Sequence, residues 1–461
     1  MQLFHPKSWQ NKSSSPKSWN PESWQNFPIS QQVDYADQQA LEKSINELSS
    51  LPPLVSVEEI EDLRSKIASA AKGDSFILQG GDCAELFSDC NAEVITSKLK
   101  ILLQMSLILV DGLNKPVTKI GRLAGQYAKP RSSITETIDG TSLPCYRGDL
   151  INGAEFTVEQ RTPDSKRLLK GYSFASLTLN YIRTLLENQF ASLSNVENWD
   201  LDFVSHSAKA DDYHSILNKV KRSQSLIKNL NQQNTQLPVR DQIFTCHEAM
   251  HLHYEQALTR QYKDSSWYNL STHLPWIGMR TCQPDSAHVE YMRGIANPIA
   301  IKIGPSMSSK DLLNLCDILD PNNTAGRLTL VTRFGNKKVS ECLPKLIKQM
   351  KQADRTPLWC CDPMHGNTSI TENGTKTRRF DTIIDELTQA FQIHQDNHSH
   401  LGGVHFELTG ENVTECLGGA RGLAEKDLAR AYKSVVDPRL NADQSLEMAM
   451  RIVQLNLAIN N

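Results

Sequence analysis

Four side chains of types that bind divalent metals stand far apart in the chain: Cys83, His365, Glu407 and Asp437. A thiolate, an imidazole and two carboxylates together suit a first-row transition ion better than magnesium. Their spacing is not that of a compact metal motif, so a buried structural cysteine and a capping aspartate stand beside the metal reading. A second group is cationic: Arg122, Lys129, Arg131, Arg280, Lys302 and Arg333. Arginine forks grip phosphate oxygens in pairs, and lysine offers a compact point charge. Cations of this kind gathered at one mouth would bind anionic small molecules, with one phosphate or two. The plain alternative pairs one or two of them with a neighbouring Asp or Glu.

His247-Glu-Ala-Met-His251 matches H-E-x-x-H, which on a helix sets two histidines on one face for zinc with the Glu as general base. Here the match begins at the end of a predicted strand, and no third ligand follows in a suitable context. The expectation is that Glu248 serves at the mouth of a site and that His251 and His253 are merely helical. On that reading His251→Leu is harmless.

A barrel would bring these scattered residues together. Short apolar runs at 76–80, 116–120, 242–246, 272–277, 298–302, 327–333, 357–361 and 403–408 alternate with segments of helical length. Runs without polar alternation suit parallel strands buried on both faces. Eight of them predict an α/β protein, a (β/α)8 TIM barrel. The fourth run fits least well because Pro275 sits inside it. Strand C-termini of such a barrel open on one mouth. The runs end at 80–85, 121–132, Lys302, Arg333, 362–366 and Glu407, so the reactive residues converge.

Upstream, a helical region over 37–71 is broken at Pro52-Pro53, where the rings interrupt the hydrogen-bond ladder. Ser-Trp pairs at 8–9, 18–19 and 23–24 predict an arm whose tryptophans dock onto something larger. The expected organisation is an N-terminal arm with helices over 1–71 and a catalytic barrel over 72–461. A helical insertion outside the barrel wall is expected at about 161–239.

The 461 residues are 39% hydrophobic and 22% charged, ordinary for a soluble globular protein. A net charge of -3 lacks the basic excess that nucleic-acid binding leaves. The N-terminus is polar, and the most apolar run, at 101–110, is interrupted by Gln104 and Ser106 and is too short to span a bilayer. Ten cysteines without a C-x-x-C pair suit a reducing compartment. The expectation is a cytoplasmic protein with no membrane and no nucleic-acid partner.

Several segments resemble the class II (plant-like) 3-deoxy-D-arabino-heptulosonate 7-phosphate (DAHP) synthases. They include Trp19-Asn-Pro-Glu-Ser-Trp24, Gly80-Gly-Asp-Cys-Ala-Glu85 and Gly121-Arg-Leu-Ala-Gly-Gln-Tyr-Ala-Lys-Pro-Arg-Ser132. Further on come Tyr146-Arg-Gly-Asp-Leu-Ile-Asn-Gly153, His247-Glu-Ala249, Cys361-Asp-Pro-Met-His-Gly-Asn-Thr368, Gly403-Val-His-Phe-Glu-Leu-Thr-Gly410, Val413-Thr-Glu-Cys416 and Asp437-Pro-Arg-Leu-Asn441. They stand in the family's order from Trp19 to the end. The resemblance implies a transferase that condenses phosphoenolpyruvate with erythrose 4-phosphate, the first step of the shikimate pathway to chorismate and the aromatic amino acids. It implies Cys83, His365, Glu407 and Asp437 as ligands of a divalent metal, Mn2+ or Co2+ first, with Fe2+ or Zn2+ as further choices. It places phosphoenolpyruvate on Arg122, Arg280, Lys302 and Arg333, and the erythrose phosphate near Lys129, Arg131 and Ser132. Lys302, His365 and Glu248 become the catalytic candidates. A homo-oligomer and an aromatic amino acid effector are also implied.

Two departures matter. The family usually reads Trp-x-Gly-Glu-Arg-Thr where this chain has Trp276-Ile-Gly-Met-Arg-Thr281, so Met279 occupies a phosphoenolpyruvate-site position and cannot usefully accept a water's hydrogen bond. Either turnover is weakened or Glu248 compensates. The alternative function is therefore an impaired homologue that binds phosphoenolpyruvate and metal as a sensor or partner subunit. The second departure is Val436, where relatives often carry Cys, so a disulfide from there to Cys83 is unavailable.

Overall fold

The apolar runs form the eight strands of one closed parallel barrel. These are β1 Phe76–Gly81, β2 Val117–Arg122, β3 Ile243–Glu248, β4 Leu274–Ile277, β5 Ile299–Ile303, β6 Leu328–Thr332, β7 Leu358–Cys361 and β8 Leu401–Glu407. Each strand pairs with the next in chain order, and β8 closes against β1. The structure, a computed structural model, describes residues 19–188, 195–233, 242–263 and 265–460. Pro275 does lie inside β4, level with His247 of β3. The strand is only four residues long, and beside it His273 Nδ1 accepts the Thr245 N–H at 2.9 Å.

Side chains such as Ile77, Ile120, Phe244, Leu274, Val331 and Leu358 fill the barrel interior. The helix Val57–Ala71, started by a capping box between Ser56 and Glu59, adds Leu63, Ile67 and Ala70 to that core. Its C-terminal end lies against the start of β8, where a Cβ on Gly402 would meet the Ala70 carbonyl. One end of the barrel is thus plugged, and the mouth is at the other. Pro52-Pro53 separates this helix from the helix Gln38–Ser50.

Between β2 and β3 the described residues make a hairpin (Thr135–Ile138 with Thr141–Pro144) and the α-helices Val158–Arg161, Lys166–Asn188 and Ala210–Gln233. The last two pack on Ala92–Leu113, the helix that follows β1. That helix contains the apolar run at 101–110, buried against Ala442–Asn460 rather than in lipid. Residues 189–194 and 234–241 of this stretch lie outside the described residues. No helix among the described residues is long and apolar enough to cross a membrane.

The arm docks as expected where it is described. Trp24 is buried, donates Nε1–H to Gln256 Oε1 at 3.0 Å and meets the His253 ring edge-on. Trp19 donates to the Glu290 carbonyl at 3.0 Å. The first Ser-Trp pair, at 8–9, lies outside the described residues.

Candidate active site

Strand register brings Gly81, Arg122 and Glu407 level at the mouth, since Gly81 pairs with Arg122 on one side and Glu407 on the other. Gly81 has φ of 145°, and a Cβ there would lie 2.7 Å from the Arg122 carbonyl oxygen, so glycine lets β1 pass close to β2. The chain then turns to present Cys83, which is buried.

Cys83, Glu407 and Asp437 offer ligand atoms that all lie within 4.8 Å of one another. His365 Nε2 is 2.9 Å from Glu407 Oε1, on the side of the cluster facing β7. The Lys129 ammonium contacts both the Cys83 thiol and Asp437, so the anionic cluster already attracts a cation. Burial, then the Glu407 charge, pushes the Cys83 thiol up to about 12. Burial alone would raise Glu407 too, but His365, Arg378, Lys129 and Arg122 outweigh it and hold the carboxyl well below its usual range. These donors fit a divalent transition ion: soft and hard ligands together, strongly anionic, with a thiol that a metal would deprotonate. A buried ion-pair network anchors both ends of the cluster. Asp82, next to Cys83, pairs with Lys98 and with Arg439 NH1 at 2.6 Å, and Arg439 NH2 reaches Glu415 at 2.9 Å.

Beside the cluster is a cavity of about 200 Å³. Arg122, Lys129, Arg280, Lys302 and Arg333 line it, with Glu248, Met279 and His365. Two cations lie over the Trp276 ring, with Arg122 Cζ 5.2 Å and Lys302 Nζ 5.8 Å from its centroid. Pairing with carboxylates, expected for one or two cations, holds for three: Arg122 with Glu407 (3.2 Å), Lys129 with Asp437 and Lys302 with Asp362. Arg131, Arg280 and Arg333 are in no ion pair among the described residues. Arg131 and Ser132 are at the rim, where Arg280 NH2 donates to Ser132 Oγ at 2.8 Å.

Lys302 is buried at the end of β5; burial lowers its pKa, Asp362 opposes that, and the net direction is below the ordinary lysine value. The Glu248 carboxyl is raised by burial against the pull of Arg122, Lys129 and Lys302, and its Oε1 has no hydrogen-bond partner. It occupies room left by Gly278, where a Cβ would collide with it.

Residues 19–453 match the Class-II DAHP synthetase family. The chain belongs to this family. It is 45% identical over 460 residues to a Neurospora crassa protein named phospho-2-dehydro-3-deoxyheptonate aldolase, covering 96% of this chain and 95% of that one. A Streptomyces coelicolor protein of the same name is 42% identical over 446 residues, covering 96% of this chain and 98% of that one. A solved Francisella tularensis structure of that name aligns with a TM-score of 0.44 at 16% identity, over 93% of this chain and 99% of the other.

In this DAHP synthetase family member the H-E-x-x-H match is not a helical zinc motif. His247 and Glu248 end β3, and His251 caps the following helix, Leu252–Ala257. His247 Nε2 is 2.8 Å from Glu255 Oε1, and His251 Nε2 is 2.8 Å from the Tyr35 hydroxyl. The expectation that His251 is merely helical is corrected: its ring is a buried cap, and only His253 sits within the helix. All ten cysteines are free, and Val436 packs against Cys83.

Three site residues escaped the sequence reading. Asp362 bridges Lys302 and His365, Arg378 NH1 holds Glu407 Oε2 at 2.7 Å, and His405 Nε2 lies 3.0 Å from Arg122 NH1. Asp362 had a signal, its place at a strand end. Arg378 had none, because it arrives from the hairpin Thr368–Ile370 with Lys376–Arg378.

Proposed function

We propose that the chain is a metal-dependent DAHP synthase, condensing phosphoenolpyruvate with erythrose 4-phosphate to give DAHP and phosphate. The observation that carries this is the adjacency of a Cys–Glu–Asp–His cluster to a cavity lined by five cations. Cys83, His365, Glu407 and Asp437 would hold the metal, with Mn2+ or Co2+ suiting the mixed donors. Bound there, the ion supplies Lewis acidity toward the aldehyde oxygen of erythrose 4-phosphate.

The remaining work falls to the chain. Arg122, Arg280, Lys302 and Arg333 hold the carboxylate and phosphate of phosphoenolpyruvate, and Lys129, Arg131 and Ser132 hold the erythrose 4-phosphate. Fixing both substrates replaces a bimolecular encounter with a positioned one. C3 of the enol attacks the aldehyde carbon, the aldehyde oxygen takes up a proton, and water adds at C2. Phosphate then leaves with cleavage of its bond to C2. Lys302, held by Asp362, is placed to orient that water or move its proton, and Glu248, which lines the same cavity with an unpartnered carboxyl oxygen, would assist.

Met279 favours a second reading, an impaired relative that binds phosphoenolpyruvate and metal without turnover. The test is product formation from both substrates with manganese or cobalt, against controls lacking the aldehyde. The seven-carbon keto-sugar phosphate is expected. Its absence from folded, metal-loaded protein that still binds phosphoenolpyruvate favours the impaired relative.

A further inference from the structure

The N-terminal arm reaches the rim of the cavity. Gln31 Oε1 accepts the backbone N–H of Arg131 at 2.9 Å and NH2 of Arg147 at 3.1 Å. The Gln32 carbonyl accepts Arg147 NH1 at 2.8 Å, and Ser30 Oγ donates to the Arg280 carbonyl at 3.0 Å. Three successive arm residues therefore tie together Arg131 and Arg147 of the β2–β3 connection and Arg280 after β4. Arg280 in turn donates to Ser132, which completes a ring around the rim. Arg131, Arg147 and Arg280 are all without an ion-pair partner among the described residues.

Two features single out Gln31 within this ring. Its φ is 61°, in the left-handed region, where a side chain costs about 1 kcal/mol and glycine would cost nothing. The chain keeps a side chain where its backbone would be easier without one. That side chain's one acceptor atom is shared by the Arg131 backbone N–H and the Arg147 guanidinium, whose Nε–H is buried without a partner. The Arg131 and Arg147 charges stand close enough to repel one another, and an anion seated at Arg131 and Ser132 relieves that repulsion.

We propose that Gln31 is a positioning residue for the phosphate of the aldehyde substrate, holding Arg131 and Arg147 as a pair so that the arm forms one wall of that subsite. This rests on the reading of Arg131 and Ser132 given under the proposed function. Gln31 acts through the arginines, so its loss weakens capture of the phosphorylated aldehyde and leaves phosphoenolpyruvate, seated deeper on Lys302 and Arg333, unaffected.

The test is steady-state kinetics of the full chain, metal-loaded, as wild type, Gln31→Ala and Gln31→Gly, varying each substrate in turn. In both variants KM for erythrose 4-phosphate is expected to rise about tenfold, with KM for phosphoenolpyruvate held within twofold. Gln31→Gly removes the backbone strain, so its melting temperature should not fall below wild type even as that KM rises. An unchanged KM for erythrose 4-phosphate in Gln31→Gly overturns the proposal, as does an equal rise for both substrates. Wild-type protein that makes no product overturns instead the functional reading on which the proposal rests.

Discussion

His365 Nδ1 lies 2.7 Å from Oδ2 of Asp362, the same oxygen that pairs with the ammonium of Lys302. One buried carboxylate thus orients a metal-ligand candidate and a proton-transfer candidate together. Its other oxygen accepts the backbone N–H of Met364 at 3.1 Å and of His365 at 3.2 Å, which locks the turn. Burial would raise this carboxyl, yet His365 and Lys302 hold it well below the usual range.

Asp362→Asn should therefore damage metal binding and turnover together. An outer partner of a ligating histidine typically contributes 10–100-fold in metal affinity, so a loss of about that size is expected in a calorimetric manganese titration, with kcat falling at least as far. Wild-type metal affinity in the variant would show that His365 needs no such partner.

Met279 shares the cavity with Lys302, its sulfur packed against Gly304. Met279→Glu restores a carboxylate beside the lysine and should raise kcat by about tenfold. Glu248→Gln should lower kcat in the natural chain and matter less once Glu occupies 279. An unchanged or lower rate in Met279→Glu would count against both statements.

Glu386, on the helix Phe380–Asp396, accepts the N–H groups of Phe334 and Gly335 at 2.9 Å each and Asn367 Nδ2 at 2.7 Å. It thereby clamps the loops that carry Arg333 and His365. Burial is the largest influence and, against those donors, raises its carboxyl from 4.5 to about 7. A folded-state value above the unfolded one stabilises the fold fully below pH 4.5, and that contribution fades as pH rises to 7. Chemical denaturation should show wild type losing about 3 kcal/mol relative to Glu386→Gln between those limits. A difference independent of pH would contradict this.

His251→Leu is not harmless. The neutral ring accepts the Tyr254 N–H on Nδ1 and donates from Nε2 to the Tyr35 hydroxyl, and burial pushes its pKa down to about 3. Removing it leaves a buried hydroxyl and a helix N–H unpaired, a loss of about 1–3 kcal/mol in unfolding free energy. Metal content and KM should stay at wild-type values; loss of metal in a folded variant would revive the zinc reading.

The barrel was legible because strands buried on both faces leave uninterrupted apolar runs, and Pro275 misled little because its strand is short. Cys83, Glu407 and Lys302 were legible for a related reason: strand ends in a parallel barrel share one mouth. Arg378 and Gln31 were not, since a hairpin and an extended arm carry no periodicity that says where they land. His251 was misjudged because a four-residue motif does not reveal whether a strand or a helix contains it.

The central claim is that Cys83, His365, Glu407 and Asp437 hold the ion on which condensation depends. The direct measurement is DAHP formation by chelator-stripped protein reloaded with graded manganese. The account predicts no product after stripping and recovery that saturates at one ion per chain. Full activity after complete removal of divalent metal from folded protein would contradict it.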